Sequence, residues 1–296
     1  SAVILYGGGT TGVKKGVLLT NLNLNAVAKQ LKIREIFEPG NHILTSLPMF
    51  HGFGLVYCVH GVLWNASTCI LSPRFSPKSC AKLILKYKCR IIPHVPSFFE
   101  SIIDLPVFNN KDLSYLKEVF IGGDTIYANS KAKIDNFLKS HNAFSPSFIG
   151  YGLTECSAAC SLSSLHFYRE HSLGYPLPGM NIKIVKPGTH ESLKPGTEGQ
   201  IVISGPNVMK KYINNPKETA SVLQVHSDGL TWFHTDDIGM FDEDGFLYFK
   251  ERMNRMFIKK GYNIYPNQLE QVLSSFEGVE QSCVIGIRKD DSVKKI

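Results

Sequence analysis

The chain has 296 residues, of which 43% are hydrophobic and 19% charged, a composition typical of globular proteins and unlike that of disordered or fibrous chains. Its net charge of +7 comes from scattered basic residues, which disfavours a nucleic-acid surface and is compatible with an anionic substrate. The seven cysteines are irregularly spaced and include no C-x-x-C pair, so a reduced, cytoplasmic protein is expected rather than a disulfide framework or a zinc site. The sequence contains no apolar run long enough to predict a transmembrane segment.

The first part of the chain alternates short runs rich in β-branched residues with amphipathic segments of helical length. Strands are predicted at residues 2–6, 41–48, 67–72, 90–95, 116–123 and 147–152, and helices at residues 21–37 and 76–88. Thr20 or Asn21 is suited to cap the first helix, and Ser76 followed by Pro77 to begin the second. This alternation predicts an α/β fold with a parallel sheet flanked by helices.

From about residue 174 the pattern changes to short alternating strands separated by Pro/Gly turns, which predicts a small antiparallel β unit. Its strands are expected at residues 181–186, 199–204, 231–235, 238–242 and 245–250, the last two joined by the turn "DEDG". A helix at 266–276 and a strand at 281–287 follow. We therefore expect an α/β core with a phosphate loop over residues 1–165, a β-rich subdomain over 166–251, and a hinge with an incomplete C-terminal α/β subdomain over 252–296.

The stretch "YGGGTTGVKKG", Tyr6 to Gly16, has the composition of an anion-binding loop. Glycines let backbone N–H groups approach an anion, hydroxyls donate hydrogen bonds and lysine supplies charge. The Walker pattern fails because Val13 stands where it requires lysine, and the dinucleotide-binding pattern lacks its ribose-binding acid. A flexible turn between two strands remains the alternative for this stretch taken by itself.

Three later stretches carry side chains suited to a nucleotide. In "GYGLTE", residues 150–155, a tyrosine ring can lie on a base, a threonine can bond a phosphate and a glutamate can hold Mg²⁺. In "WFHTDDIG", residues 232–239, paired acids can bond ribose hydroxyls, and Arg252 follows within reach of the same nucleotide. Taken singly, each has a structural alternative: a packed aromatic ring, a solvated carboxylate, a solvated turn or an exposed basic strand.

In order and spacing, these stretches resemble those of the adenylate-forming enzymes, which include acyl-CoA synthetases, aryl-CoA ligases, luciferases and peptide-synthetase adenylation domains. "YGGGTTGVKKG" is similar to the Ser/Thr/Gly-rich loop of that family, and "LPMFHGFG" to its histidine-bearing substrate motif. The motifs "IGGDTI", "GYGLTE", "GYPLPGMNIKIV" and "GQIVISGPNVMKKYINNPKET" follow in the family order. The region from Trp232 to Leu273 resembles the ribose-binding and hinge region, and bacterial fatty-acyl or aryl-CoA ligases are the most similar group.

The resemblance implies a ligase that activates a carboxylic acid with ATP and then transfers the acyl group to CoA. The products would be an acyl-CoA, AMP and pyrophosphate, with ATP, Mg²⁺ and CoA as cofactors. The substrate motif contains no aspartate to hold an amino group, so a fatty or aryl acid is expected. The apolar stretches 47–64 and 95–103 suit an acyl chain, although simple burial explains any single residue equally well.

The resemblance also implies the site residues. Contacts with the β- and γ-phosphates are expected from Thr10, Thr11, Gly12 and Lys15. Contacts with adenine and ribose are expected from Gly123, Asp124, Tyr151, Asp237 and Arg252. The expected catalytic residues are His51, between adenylate and acyl pocket, Thr154, at the α-phosphate, and Glu155, the ligand of magnesium.

The sequence departs from the family pattern at several points. Lys14 stands where most members have proline, and Asp236 replaces the glycine of the T-G-D motif. If that glycine position needs a positive φ, Asp is among the few residues that tolerate it. The chain opens directly on a strand and stops before the region that holds the catalytic lysine of the family, so we expect a fragment truncated at both ends, weak or inactive alone.

Two alternatives to a CoA ligase stay open at this stage. The acyl group could pass to a carrier protein, or the chain could be a non-catalytic module that binds a nucleotide or acyl group. Arg255, Lys259 and Lys260 are candidates for the CoA phosphates, although a solvated strand face is the better interpretation.

Overall fold

The computed structural model describes residues 1–7, 14–72, 74–259, 262–276, 278–279, 282–289 and 292–295. The strands are β1 (Val3–Gly7), β2 (Lys15–Leu19), β3 (His42–Thr45), β4 (Thr68–Leu71), β5 (Ile91–His94), β6 (Glu118–Ile121), β7 (Ser147–Tyr151), β8 (Ser161–Leu162), β9 (Tyr175–Pro176), β10 (Asn181–Val185), β11 (Gly199–Ser204), β12 (Lys211–Tyr212), β13 (Leu223–Val225), β14 (Thr231–Phe241), β15 (Leu247–Arg252), β16 (Phe257–Lys259), β17 (Tyr262–Ile264), β18 (Ile287–Lys289) and β19 (Ser292–Lys295). The α-helices are α1 (Asn21–Ile33), α2 (Val62–Trp64), α3 (Pro77–Tyr87), α4 (Pro96–Ile102), α5 (Ala128–Ser140), α6 (Pro216–Val222) and α7 (Pro266–Leu273). A π-helix, Phe53–Gly61, runs into α2, and Pro106–Phe108 and Thr154–Cys156 form 3₁₀ turns.

The main sheet confirms the predicted parallel α/β core. Its strand order is β4-β3-β5-β6-β7-β8-β9, with the first five strands parallel and the last two antiparallel. Successive residues of a strand enter different hydrophobic clusters, as Ile43 and Leu44 do in β3 and Ile91 and Ile92 do in β5. Because side chains alternate across a strand, both faces of this sheet are covered.

The two predicted helix starts are confirmed by their capping hydrogen bonds. The hydroxyl of Thr20 accepts from Asn23 N at 3.2 Å, and the Asn23 side chain accepts from Thr20 N at 2.7 Å. Ser76 accepts from Ser79 N at 3.4 Å, with Pro77 as the first residue of α3. These bonds satisfy N–H groups that have no partner within the first helical turn.

The first strand lies in a different sheet from the one that the alternating pattern predicted. β1 pairs antiparallel with β2, and β2 pairs antiparallel with β12. Only residues 8–14 separate β1 from β2, and a parallel partner would need a crossover of a dozen or more residues. The glycine-rich stretch therefore connects the two strands of a hairpin.

The β-rich part of the chain forms the predicted antiparallel sheet, in the order β10-β11-β14-β13 with β15 also paired to β14. Residues 231–235 and 238–242 were predicted as two strands, but 231–241 form the single strand β14. In the pairing with β11, residues 235–237 of β14 lie opposite the single residue Ile201, and this bulge coincides with the break in the sequence pattern. The turn after β14 is confirmed: Asp242 accepts from Phe246 N at 2.8 Å, and Gly245 has φ +84°.

At the end of the chain, α7 confirms the predicted helix, although it stops at Leu273. The predicted strand at 281–287 is wrong for residues 282–286, which lie outside strands; β18 begins at Ile287. One hydrophobic cluster includes residues from the α/β core and from β10, β11 and β14, so the division at residues 165 and 251 stays a prediction. No helix in the described segments combines the length and apolar character needed to cross a membrane.

Candidate active site

A cavity of about 270 Å³ opens where β6 and β7 end. Ligands of open α/β sheets bind outside the carboxyl ends of the strands, so this position agrees with the fold. The predicted site residues that line the cavity are Lys15, His51, Gly123, Tyr151, Thr154, Glu155 and Arg252. Apolar walls come from Phe53, Tyr57, Phe120, Leu162, Val222 and Phe233. The fold thus brings residues from distant parts of the sequence into one site.

The turn that follows β7 is shaped by close backbone contact. A Cβ atom at Gly152 would lie 1.6 Å from the carbonyl oxygen of Ala158, and one at Gly150 would lie 2.8 Å from Leu162 Cδ1. Ser157 and Ala158 both have positive φ angles, 55° and 88°. Few non-glycine residues adopt positive φ angles, so the surrounding structure must hold this turn in place. Thr154 and Glu155 lie between these two contacting segments, on a 3₁₀ turn at the cavity wall.

Glu155 is held from a neighbouring strand. Tyr212 donates from its hydroxyl to Glu155 Oε1 at 2.8 Å. Burial raises the pKa of Tyr212 above its ordinary value, and the neighbouring Glu155 carboxylate raises it further. A Cβ atom at Gly7, the last described residue before the glycine-rich stretch, would lie 3.7 Å from Glu155 Oε1 and 3.9 Å from Thr154 Cβ. The start of the predicted phosphate loop therefore lies directly against the "GYGLTE" turn.

Lys15 is the cationic group at this end of the cavity. Its ammonium forms an ion pair with Glu218 of α6 and lies 5.3 Å from the centre of the Tyr212 ring. The predicted phosphate ligands Thr10, Thr11 and Gly12 lie outside the described residues. Lys14, which follows this stretch in the sequence, is exposed.

Tyr151, Asp237 and Arg252 form a connected group. Tyr151 donates to Asp237 Oδ2 at 2.7 Å, and Arg252 Nε lies 3.3 Å from Asp237 Oδ1. Asp237 is 1% exposed and lies behind the cavity lining, whereas Tyr151 and Arg252 reach the cavity. The pKa of Asp237 lies above its ordinary value because burial outweighs the opposite effects of Arg252 and the Tyr151 hydrogen bond. Oδ1 receives no hydrogen bond from any described residue, so it retains an acceptor site.

Gly123 and Asp124 lie in the turn after β6. Gly123 lines the cavity with φ +79°, a conformation that favours glycine. Asp124 is exposed, accepts from Thr125 N at 2.8 Å and does not contribute to the cavity lining. The structure therefore brings one of these two predicted adenine contacts to the cavity and leaves the other at its edge.

His51 precedes the π-helix and is exposed to the cavity rather than packed in a core. Its Nδ1 accepts from Phe53 N at 3.2 Å, which leaves Nε2 to carry the proton of the neutral ring. Partial burial lowers the pKa of His51, so the neutral form dominates at pH 7. Phe53 and Tyr57 of the π-helix continue the apolar wall beside it.

The apolar stretch 95–103, whose composition suits an acyl chain, packs into the hydrophobic core instead. Phe98, Phe99 and Ile102 are buried in the cluster on the other side of the sheet and do not line this cavity.

Arg255, a candidate for the CoA phosphates, forms two ion pairs within the fold, with Glu270 at 2.5 Å and with Glu251 at 3.7 Å. Lys259 ends β16, and Lys260 lies outside the described residues.

Tyr212, Glu218 and His234 also line the cavity, and the sequence analysis assigned a role to none of them, whereas it named Asp236 as a departure from the family pattern. Tyr212 and Glu218 lie in the motif "GQIVISGPNVMKKYINNPKET", whose similarity to the family was noted without assigning roles. Asp236 is exposed to the cavity from within β14, and its φ is not positive. Aspartate is therefore accommodated there by ordinary extended backbone, and no left-handed conformation is needed.

Comparison with known proteins places the chain in a family. Residues 1–213 match the sequence profile described as AMP-binding enzyme. The chain belongs to the AMP-binding enzyme family. It is 32% identical, over 97% of its length, to a long-chain-fatty-acid–CoA ligase of Bacillus subtilis, and covers 50% of that protein. It is 33% identical, over 98% of its length, to a probable 4-coumarate–CoA ligase 1 of Dictyostelium discoideum, and covers 52% of it.

Solved structures with the same fold include ligand complexes. ATP-bound MatB from Rhodopseudomonas palustris matches with a TM-score of 0.87 at 27% identity, over 97% of this chain and 55% of that one. The o-succinylbenzoate coenzyme A synthetase of Bacillus subtilis, in complex with ATP and magnesium ion, matches with a TM-score of 0.84 at 28% identity, over 97% and 57%. The chain thus spans about half the length of the relatives that it matches.

Proposed function

We propose that the protein uses ATP to convert a carboxylic acid into an acyl adenylate and then transfers the acyl group to CoA. The observation that carries the proposal is the convergence of Lys15, Glu155, Tyr151 and Arg252 on one cavity with an apolar wall. A cation, a carboxylate and a hydrogen-bonded aromatic group are the parts that a nucleoside triphosphate needs. The names of the relatives, which are CoA ligases, support CoA as the acceptor.

The nucleotide would place its adenine beside Gly123 and Tyr151, with Asp124 at the edge. Its ribose would lie near Arg252 and Asp237, because Asp237 Oδ1 is an acceptor without a donor among the described residues. A buried acceptor of this kind gains free energy when a ligand hydroxyl donates to it. The Tyr151 hydrogen bond keeps the carboxylate oriented.

The phosphates would lie at the opposite end, against Lys15, Thr154 and the glycine-rich stretch with Thr10, Thr11 and Gly12. Lys15 would exchange its carboxylate partner Glu218 for phosphate oxygens. Fixed donors at this end would stabilise the charge that develops as pyrophosphate leaves.

Glu155 fits a magnesium ion bound with the triphosphate. Its carboxylate faces the cavity, accepts one hydrogen bond from Tyr212, and forms no ion pair with a lysine or arginine of the described segments. Mg²⁺ is usually held by one or two carboxylates together with substrate phosphates and water. When bound, it would neutralise phosphate charge.

The acid would enter from the side of His51, Phe53 and Tyr57. The stretch 47–64 contains no acidic residue, and these apolar rings suit a fatty or aryl chain. His51 would orient the carboxylate towards the α-phosphate, because in-line placement supplies a large part of the rate of such a step. Transfer to a carrier protein, or nucleotide binding without catalysis, are the competing functions.

The test is carboxylate-dependent exchange of labelled pyrophosphate into ATP, measured with the full-length natural protein and a panel of fatty and aryl acids. We expect exchange with at least one acid, loss of exchange in Glu155→Gln, and unchanged exchange in the exposed control Glu243→Gln. No exchange with any acid would overturn adenylation and leave the binding module. Release of acyl product by CoA, compared with carrier protein, then distinguishes the two ligase functions.

A further inference from the structure

Three histidines from separate parts of the sequence meet at one end of the antiparallel sheet. His234 belongs to β14, His226 follows β13 in the hairpin between them, and His190 lies in the loop after β10. One ligand nitrogen of each ring lies within 4.8 Å of the others. The spacings of 36 and 8 residues match no linear zinc motif, so only the sheet pairing brings the rings together.

Two glutamines fix the protonation of the outer rings. Gln224 Oε1 lies 2.7 Å from His190 Nε2, and an amide oxygen can only accept, so Nδ1 of His190 keeps its lone pair. Gln200 donates to Thr235 O at 2.7 Å, which turns its Oε1 towards His234 Nδ1 at 3.4 Å. His234 therefore keeps its lone pair on Nε2. Metal-binding histidines are oriented in the same way, by acceptors on the nitrogen away from the metal.

The middle ring carries the unsatisfied group. His226 is 4% exposed, its Nε2 lies 2.8 Å from His234 Nε2, and its Nδ1 has no hydrogen-bond partner among the described residues. Since Nε2 of His234 is an acceptor, Nε2 of His226 carries the proton. A shift of that proton to Nδ1 would turn the Nε2 lone pairs of both rings towards the same point.

The charges around the cluster permit a bound cation. Lys183 is the nearby cationic side chain, and its charge is balanced by Asp228 at 3.2 Å. Burial, with Lys183 as a smaller cause, lowers the pKa of His226. Burial and the neighbouring His226, His190 and Lys183 lower the pKa of His234 to about 4. Both buried rings are therefore neutral at pH 7, the form that binds metals.

We propose that His190, His226 and His234 form a binding site for a divalent transition-metal ion, with Zn²⁺ as its probe. Imidazole nitrogens suit Zn²⁺, Cu²⁺ and Ni²⁺, whereas Mg²⁺ selects oxygen ligands, so the two sites differ in ligand chemistry although His234 also lines the nucleotide cavity. Nitrogens bound to one zinc ion lie about 3.3 Å apart, from Zn–N bonds of about 2.0–2.1 Å. The ring of the exposed His190 is stacked on that of His226, with 3.9 Å between the ring centroids. To bind the same ion, the His190 ring would have to rotate towards the nitrogens of the other two histidines.

The test measures Zn²⁺ binding by competition with a chromophoric chelator at pH 7.5, without nucleotide, and Co²⁺ binding by its visible absorption. All proteins carry Cys283→Ser, because Cys283 is the exposed member of the seven cysteines. We expect one ion per chain, and binding more than about tenfold weaker in His190→Ala and His226→Gln. His166→Ala, an exposed histidine outside the cluster, is the matched control and should bind as tightly as the parent.

His190→Ala changes an exposed loop residue, so its thermal unfolding should match that of the parent and a loss of binding cannot come from misfolding. The proposal is overturned if the parent binds no Zn²⁺ at micromolar concentration. It is also overturned if His190→Ala and His226→Gln retain the affinity and the Co²⁺ spectrum of the parent. Neither result depends on adenylation, so the outcome is independent of the proposed function.

Discussion

Tyr151 donates a 2.7 Å hydrogen bond to Asp237, and this bond ties the end of the parallel sheet to the long strand of the antiparallel sheet. The two residues are 86 positions apart, and both are buried. Arg252 of β15 completes the group from the next strand. The proposed ribose site is therefore built across two sheets, and its geometry depends on their packing.

Replacing Tyr151 with phenylalanine should destabilise the protein by about 1–3 kcal/mol, because the buried carboxylate of Asp237 loses its neutral donor. The measurement is urea unfolding at pH 7. Tyr262→Phe is the control, since Tyr262 is 75% exposed and should tolerate the change. Equal stability of Tyr151→Phe and the parent protein would show that Arg252 alone satisfies the carboxylate.

Replacing Glu218 with glutamine should tighten ATP binding. Glu218 pairs with Lys15 in the structure and competes with phosphate for the ammonium. Both groups are partly exposed, so the pair is worth at most about 1 kcal/mol and the gain should reach up to about fivefold. Calorimetric titration with MgATP measures it, and Glu243→Gln, at an exposed turn, serves as control. Weaker binding in Glu218→Gln would mean that Glu218 supports the site instead of competing with the nucleotide.

Stability should fall as pH rises through the titration of Glu118. Burial raises the pKa of Glu118 to about 7, an effect that Lys117 opposes and Glu38 reinforces. The folded protein therefore holds a proton that the unfolded chain releases between about pH 4.5 and 7. Glu118→Gln removes the cost of ionisation, so its stability relative to the parent should rise by about 1–3 kcal/mol from pH 5 to pH 8.

Urea unfolding of both proteins at pH 5 and pH 8 measures this difference. Glu243→Gln, which removes an exposed carboxylate, should show no comparable change between the two pH values. A difference between Glu118→Gln and the parent that is constant with pH would place the titration elsewhere.

Gly152→Ala should lower the free energy of unfolding by about 3 kcal/mol or more, because the new Cβ would lie 1.6 Å from the Ala158 carbonyl oxygen. The atoms nearest to this Cβ all belong to the backbone of Ala158 and Ala159, so the turn that presents Thr154 and Glu155 would have to move. Gly188→Ala is the control: the site is open but has φ +73°, so about 1–2 kcal/mol is expected. Thermal and urea unfolding compare the two, and equal losses would show that the turn adapts without strain.

Much of the fold could be predicted because local signals agreed with it. Capping residues marked the starts of α1 and α3, and β-branched runs marked the strands of the parallel sheet. The partner of β1 was not predicted, because the sequence analysis recognised no strand at residues 15–19, which form β2. The short connection to β2 decides the antiparallel pairing, and it outweighs the α/β alternation that surrounds it.

The sequence by itself determined the family, the α/β class and seven of the residues that line the cavity, because ordered motifs record the chemistry that each segment supplies. Tertiary structure decided which side chains meet. It alone pairs Lys15 with Glu218 and Glu155 with Tyr212, and it alone gathers the three histidines. Such contacts join residues from eight to 203 positions apart, and their distances depend on strand register and packing, which no linear spacing specifies.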